Sequence, residues 1–205
     1  MISQPSDKKL FLVDAYALIF RAYYAFIKNP RINSKGMNTS AVFGFTNTLM
    51  EVIRSEKPTH VAVVFDPPGP TIRVEQYEEY KANRDETPED IKLSVPWIVK
   101  ILEGLRIPVL QAPGYEADDL IGCLAGRAEA QGFDVYMMTP DKDFAQLVTD
   151  KVKMFRPGRG GNPATVWGPA EVLERYGLER PEQVVDLLGM MGDSADNIPG
   201  IPGVG

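Results

Sequence analysis

The sequence predicts an α/β fold with a mostly parallel sheet and helices on both faces. Three observations predict it. Short, continuous apolar runs rich in strand formers recur along the chain, the pattern of strands buried on both faces. Segments with helical apolar spacing separate them, and strands alternating with helices build parallel sheets. The first two runs each end in an aspartate, Asp14 and Asp66. In open parallel sheets ligands bind beyond the carboxyl ends of the strands, so that edge is where chemistry is expected.

Lys9 to Val13 is the first strand, with Asp14 at its end. Ala15 to Phe26 sets Tyr16, Phe20, Tyr23, Tyr24 and Phe26 around Arg21. Rings beside a guanidinium can stack bases and hold phosphate, but such stripes more often pack cores, and most of this one is read as core. Asn29 to Asn38 is a polar loop, and Thr39-Ser40 caps a helix from Ala41 to Ser55 with Phe45, Leu49 and Val52 on one face. His60 to Phe65 is the second strand, followed by Asp66, and His60 itself is read as structural. Pro67 to Pro88 has no clean period and interleaves Arg73, Tyr77, Tyr80, Lys81 and Arg84 with acids. Such a stretch is a functional or mobile loop, or a charged surface helix whose signs neutralise one another.

A helix is predicted from Pro96 to Leu105 and a third strand at Val109 to Gln111. Glu116, Asp118 and Asp119 then crowd the first turn of a helix running through Gln131. A helix dipole favours acids there by roughly 0.3–1 kcal/mol, too little for three within four residues. A solvated, acid-rich helix start and a metal site fit this stretch equally. Asp134 to Met138 is a fourth strand ending in Thr139-Pro140-Asp141-Lys142-Asp143, and Lys151 to Phe155 a fifth. Gly158 to Pro163 reads as a turn, and Val172 to Tyr176 and Val184 to Leu188 as helical.

Across 205 residues, 44% hydrophobic and 24% charged content excludes a disordered chain. No apolar run approaches the roughly 20 residues that cross a bilayer, and the polar start excludes a secretory leader, so a cytoplasmic protein with no membrane partner is expected. Cys123, the only cysteine, is read as a buried small hydrophobe; with one histidine besides, Ser-His-Asp and Cys-His chemistry and cysteine-rich zinc sites have little to work with. The net charge of -6 disfavours phosphate contacts, yet setting nine motif acids aside leaves 19 acids against 22 bases.

Asp14, Asp66 and Asp141 all fall at strand ends, and Glu116, Asp118 and Asp119 open a helix on the same edge. One aspartate after a strand is often just the cap of the next helix; several together, without adjacent bases, point to a shared cation. Oxygen ligands alone select Mg²⁺ or Mn²⁺, and the number of acids suits two ions about 3.5–4 Å apart flanking a phosphoryl displacement.

Leu10 to Asp14 (L-F-L-V-D), Val63 to Asp66 (V-V-F-D), Tyr80 to Arg84 (Y-K-A-N-R), Gly114 to Asp119 (G-Y-E-A-D-D), Thr139 to Asp143 (T-P-D-K-D) and Gly192 to Gly205 resemble the 5′-nuclease domain at the amino end of bacterial DNA polymerases I. That family lies in the flap endonuclease and PIN-like superfamily. The resemblance implies metal carboxylates at Asp14, Asp66, Glu116, Asp118, Asp119, Asp141, Asp143, Asp193 and Asp196, with catalysis by Asp14, Asp66 and Asp141 and by Lys81 and Arg84 at the scissile phosphate. It makes 67–88 a helical arch over a 5′ strand, adds Arg21, Tyr77, Gly200, Gly203 and Gly205 as DNA contacts, and implies two Mg²⁺ ions, Mn²⁺ as substitute and K⁺ at the hairpin. The expected organisation is a nuclease core over 1–180 and, over 181–205, the start of a helix-hairpin-helix element whose second helix is absent. Substrates would be DNA with 5′ flaps, nicks or 5′ ends and RNA primers on DNA, handled by a monomer beside the polymerase domains of a longer parent chain. Two other readings stand beside this one: a PIN-like ribonuclease and a non-catalytic branched-DNA binding module.

Overall fold

The computed structural model describes residues 8–158 and 162–204. Six strands form one sheet: β1 (Lys9–Asp14), β2 (His60–Val64), β3 (Val109–Leu110), β4 (Asp134–Met138), β5 (Val152–Arg156) and β6 (Thr165–Trp167). Their order is β3-β2-β1-β4-β5-β6, every neighbouring pair parallel except antiparallel β5–β6. β6 escaped the sequence reading because it is three residues long with Thr165 and Val166 exposed, so it carries no apolar run. Residues 159–161 of the expected turn, and Gly205, lie outside the described residues.

Alternation along β1 splits the core into two layers. Phe11 and Val13 face Ile19 of α1 (Ala15–Ala25), Phe45 and Leu49 of α2 (Ser40–Glu56) and Ile98 and Leu102 of α4 (Glu89–Gly104). Leu12 faces the other way, towards Ile121 and Ala125 of α5 (Ala117–Ala130), Val172 of α6 (Pro169–Tyr176) and Val184 of α7 (Val184–Met191). Both faces are therefore covered, and each fully buried side chain contributes roughly 1.5–3 kcal/mol. Tyr16, Phe20 and Tyr23 pack against the first layer as the core reading expects, whereas Tyr24 is exposed.

Two expectations are corrected. The helix placed at Pro96 begins at Glu89 and carries Pro96 inside it. Ile91, Ser94, Ile98 and Leu102 form its buried stripe, and that burial outweighs an interior proline's cost of about 3 kcal/mol. Cys123 is exposed, not buried. The buried face of α5 runs Ala117, Ile121, Ala125, Ala128, and a position two residues from Ile121 points away from it. Among the described residues no helix is long and apolar enough to cross a membrane.

Candidate active site

The carboxyl ends of β1, β2 and β4 deliver the inner acids. Asp14 closes β1 and caps α1: one carboxylate oxygen accepts the Ala17 N–H at 3.1 Å, and the other accepts the Thr139 hydroxyl at 3.1 Å. Burial pushes its carboxyl up to about 6 despite those two bonds, with the charges of Asp66 and Asp141 pushing the same way. Asp66 accepts the Ala117 N–H at 2.8 Å, which ties the end of β2 to the head of α5. Asp141 caps a 3-10 turn, Lys142–Leu147, by accepting the Asp143 N–H at 3.0 Å. For Asp14 and Asp141 the capping role and the site role thus coexist.

Asp118, on the first turn of α5, is pushed up to about 7 by burial and by the charges of Asp14 and Asp141. Burial and Asp141 likewise raise Asp143 to about 6, and its Oδ1 is buried with no hydrogen-bond partner. Among the described residues Asp14, Asp66, Asp118, Asp141 and Asp143 form no ion pair. The raised carboxyls of Asp14, Asp118 and Asp143 and that orphaned oxygen mark a place short of positive charge.

The outer acids are different, and here the sequence expectation of acids without adjacent bases is corrected. Arg73 grips Asp119 with two bonds of 2.6 and 2.7 Å, and Asp119 in turn accepts the Glu116 N–H at 3.0 Å. Burial acts to raise Asp119, but the Arg73 hydrogen bonds and charge outweigh it and hold the carboxyl below its ordinary range. Lys81 Nζ lies 2.8 Å from Glu116 and 4.0 Å from Asp196, and Arg84 pairs with Asp196. The Tyr80 hydroxyl sits 3.0 Å from both Glu116 and Asp196, so burial and those two charges push its ionisation well up. Lys142 pairs with Asp193 at 3.1 Å, which outweighs burial and keeps Asp193 low.

The 67–88 segment holds a short helix, α3 (Ile72–Gln76), followed by turns docked on the loop 193–197. The Lys81 N–H donates to the Asp196 carbonyl at 3.0 Å, Asn83 to the Ser194 carbonyl at 2.7 Å, and Asn197 to the Glu79 carbonyl at 2.8 Å. Lys81 and Asn197 both adopt left-handed backbone, at φ 57 and 58, a conformation that costs non-glycine residues and persists where surroundings hold it. These bonds hold the segment against the 193–197 loop in the structure. Polar bonds between the two loops replace the apolar burial that the segment lacks.

A cavity of about 380 Å³ lies between the docked arch and α5, lined by Arg73, Tyr80, Asp118, Asp119, Asp143 and Asp196 among others. As placed, no three His, Cys, Asp or Glu side chains among the described residues are set to enclose an ion. The donor chemistry still fits a hard cation: oxygen only, five carboxylates with no ion pair among the described residues, one buried oxygen without a partner. The outer acids instead have their oxygens held by Arg73, Lys81 and Arg84.

A family model described as the 5′-3′ exonuclease, N-terminal resolvase-like domain, matches residues 9–177. The chain belongs to this 5′-3′ exonuclease family. DNA polymerase I of Bacillus subtilis is 44% identical over 199 residues, covering 97% of this chain and 22% of that protein. A 5′-3′ exonuclease of Aquifex aeolicus is 38% identical over 198 residues, covering 97% of this chain and 66% of that one. The chain thus spans under a quarter of the polymerase relative. Among solved structures, T5 5′-exonuclease with divalent zinc bound superposes with a TM-score of 0.71 at 25% identity, over 97% of this chain and 72% of that one. The six-stranded, mostly parallel sheet with helices on both faces is the fold of the 5′-nuclease relatives.

Within this exonuclease-family chain the remaining expected residues are dispersed around the acidic edge. Arg21 donates to the Gly158 carbonyl, and the Tyr77 hydroxyl lies 3.3 Å from the Asn197 carbonyl. Gly200 presses on the end of α7, where an added Cβ would stand 2.2 Å from the Met191 carbonyl oxygen, and the Ile201 N–H donates to Met190 at 2.7 Å. Gly203 takes φ 83 in the turn that follows. The hairpin is therefore tied to α7 by these contacts. Sequence reasoning missed Arg73, Tyr80, Thr139 and Lys142 as members of the site. Tyr80, Thr139 and Lys142 lay inside quoted motifs, whereas nothing local distinguishes Arg73 from other surface arginines.

Proposed function

We propose that this chain is a divalent-metal-dependent 5′-3′ exonuclease and 5′-flap endonuclease that hydrolyses phosphodiester bonds at 5′ ends and branches during replication and repair. One observation carries the reading: five carboxylates that form no ion pair among the described residues gather at the carboxyl edge of the sheet, and the arch beside them presents Lys81 and Arg84. Family membership supports it, as do the 5′-3′ exonuclease relative and the metal-bound T5 structure.

Asp14, Asp66, Asp118, Asp141 and Asp143 would hold the inner ion, and Glu116, Asp119, Asp193 and Asp196 would complete a second. Two Mg²⁺ ions bound there, or Mn²⁺ in their place, would supply Lewis-acid activation of water and of the phosphodiester. The protein's own share is to orient and to exchange charge. Thr139 and the Ala17 N–H fix Asp14, and the Ala117 N–H fixes Asp66, so both carboxylates are pre-aimed. Lys81 and Arg84 leave Glu116 and Asp196 for the scissile phosphate, freeing those acids for cations as they do so. Arg21 and Tyr77 add strand contacts, Gly200 and Gly203 would turn backbone N–H groups to duplex phosphate within the 181–205 element, Gly205 is a further proposed DNA contact, and K⁺ a further proposed ion there. The nuclease core is proposed to occupy 1–180, acting as a cytoplasmic monomer on flapped, nicked or RNA-primed DNA alongside polymerase domains.

The test is cleavage of a 5′-flap DNA and of a single-stranded RNA with Mg²⁺ and with chelator. Flap cutting that chelator abolishes and Asp141→Asn cuts by orders of magnitude is expected. Cutting of RNA alone would establish a ribonuclease instead, and binding without any cutting a structural module.

A further inference from the structure

The arch cations all hold acids already, but the opposite flank of the site carries a cation with no acid on it. Along the carboxyl edge the strand order places β2, β1, β4 and β5 in sequence, so the edge reads Asp66, Asp14, Thr139 and then Arg156. Strands spaced about 4.8 Å apart put Arg156 about 10 Å from Asp14, on the side away from the arch. Between them lies a second cavity of about 330 Å³, lined by Arg21, Tyr24, Thr139, Pro140 and Arg156 and by no aspartate or glutamate. Its Thr139 wall is shared with the acidic centre, because that hydroxyl donates to Asp14.

Arg156 forms no ion pair among the described residues, although uncompensated carboxylates lie two strands away. Its guanidinium carbon lies 4.7 Å from the Trp167 ring, which also carries Arg175 at 5.4 Å. The antiparallel pairing of Arg156 with Thr165 brings Trp167 alongside. Stacking on an indole holds the planar fork away from the acids and leaves its N–H groups for an outside acceptor. A guanidinium so fixed loses little freedom on binding, and its fork matches a phosphate. Tyr24, 54% exposed, offers a ring on the same cavity for a base to stack on.

We infer that Arg156, braced by Trp167, forms a phosphate subsite for the nucleic-acid strand that leaves the acidic centre on the side opposite the arch. The inference rests on the nuclease reading and adds a contact to it. Because Arg156 has no acid to give up, this subsite engages the strand before the arch cations are released and does so without divalent ions.

Fluorescence anisotropy of a labelled 5′-flap DNA in chelator, across a salt series, tests it on the whole chain. Loss of one phosphate contact lowers the slope of log affinity against log salt by about 0.7–0.9 and weakens binding roughly fivefold to eightfold at 0.1 M salt. Arg156→Gln should show both changes, Arg156→Lys should recover the slope, and Lys151→Gln, at the opposite edge of the sheet, should show neither. With Mg²⁺ present, Arg156→Gln should raise KM and leave kcat near wild type. An unchanged affinity and slope in Arg156→Gln overturns the subsite, as does a slope that Arg156→Lys fails to recover. Should the wild-type chain bind the flap and not cut it, the nuclease reading falls while the anisotropy comparison still decides the subsite.

Discussion

Asp14→Asn should make the ion-free protein more stable while removing its activity. Asp14 is buried, and its carboxyl is raised from 3.8 to about 6, chiefly by burial. The folded protein therefore binds this proton more tightly than the unfolded chain, and stability falls as pH rises from about 4 through 6. Above that window the ionised carboxylate costs about 3 kcal/mol, at 1.36 kcal/mol per pKa unit. Asparagine keeps the cap, since its carbonyl accepts the Ala17 N–H, and its amide can donate to the Thr139 hydroxyl. Imperfect replacement of the two bonds takes back part of the gain, leaving about 1–3 kcal/mol, or roughly 2–10 °C in melting temperature for a chain this long. Thermal unfolding in chelator at pH 8 and at pH 4.5 reads it directly. The gain should be about 2 kcal/mol smaller at pH 4.5 than at pH 8, because folded wild-type Asp14 is still protonated at the lower pH. Equal melting temperatures at pH 8, or the same gain at both pH values, would refute the burial argument.

Adding Mg²⁺ in excess should stabilise the wild type by mass action, about 2.7 kcal/mol at a hundredfold excess over its dissociation constant, and a melting temperature indifferent to Mg²⁺ would contradict a shared cation site. Lys81→Ala should slow flap cleavage roughly 100- to 1,000-fold with far less effect on DNA binding, because a cation at the scissile phosphate acts on developing charge; equal losses would make Lys81 an anchor only. Asp196→Asn removes the partner of Arg84 and one neighbour of Tyr80 and Lys81, so amide hydrogen exchange across 77–84 should quicken in the ion-free protein. Unchanged exchange there would mean that the two loops do not hold each other.

The sheet and the acidic edge were legible because strand burial and strand-end aspartates are local patterns. Val109–Leu110 was found on the strength of two residues within a βαβ rhythm, whereas Thr165–Trp167 was not, since an exposed antiparallel edge strand has no apolar signature. Pro96 was mistaken for a helix start because local chemistry favours proline there, while the decision lay with Ile91 meeting the core. At the site, the residue types were readable but their pairing was not. Arg73 is 46 positions from Asp119 and Arg84 112 from Asp196, and only tertiary placement decides whether such charges meet one another or a ligand.

Manganese binding by electron paramagnetic resonance, read alongside flap cleavage, tests the central claim most directly. Titration of the wild type should reach two bound Mn²⁺ per chain, and Asp118→Asn and Asp141→Asn should each lose bound Mn²⁺ and flap cleavage together. Full flap cleavage by a chain that binds no Mn²⁺, or by Asp118→Asn and Asp141→Asn, would contradict the carboxyl-edge acids as the seat of the chemistry.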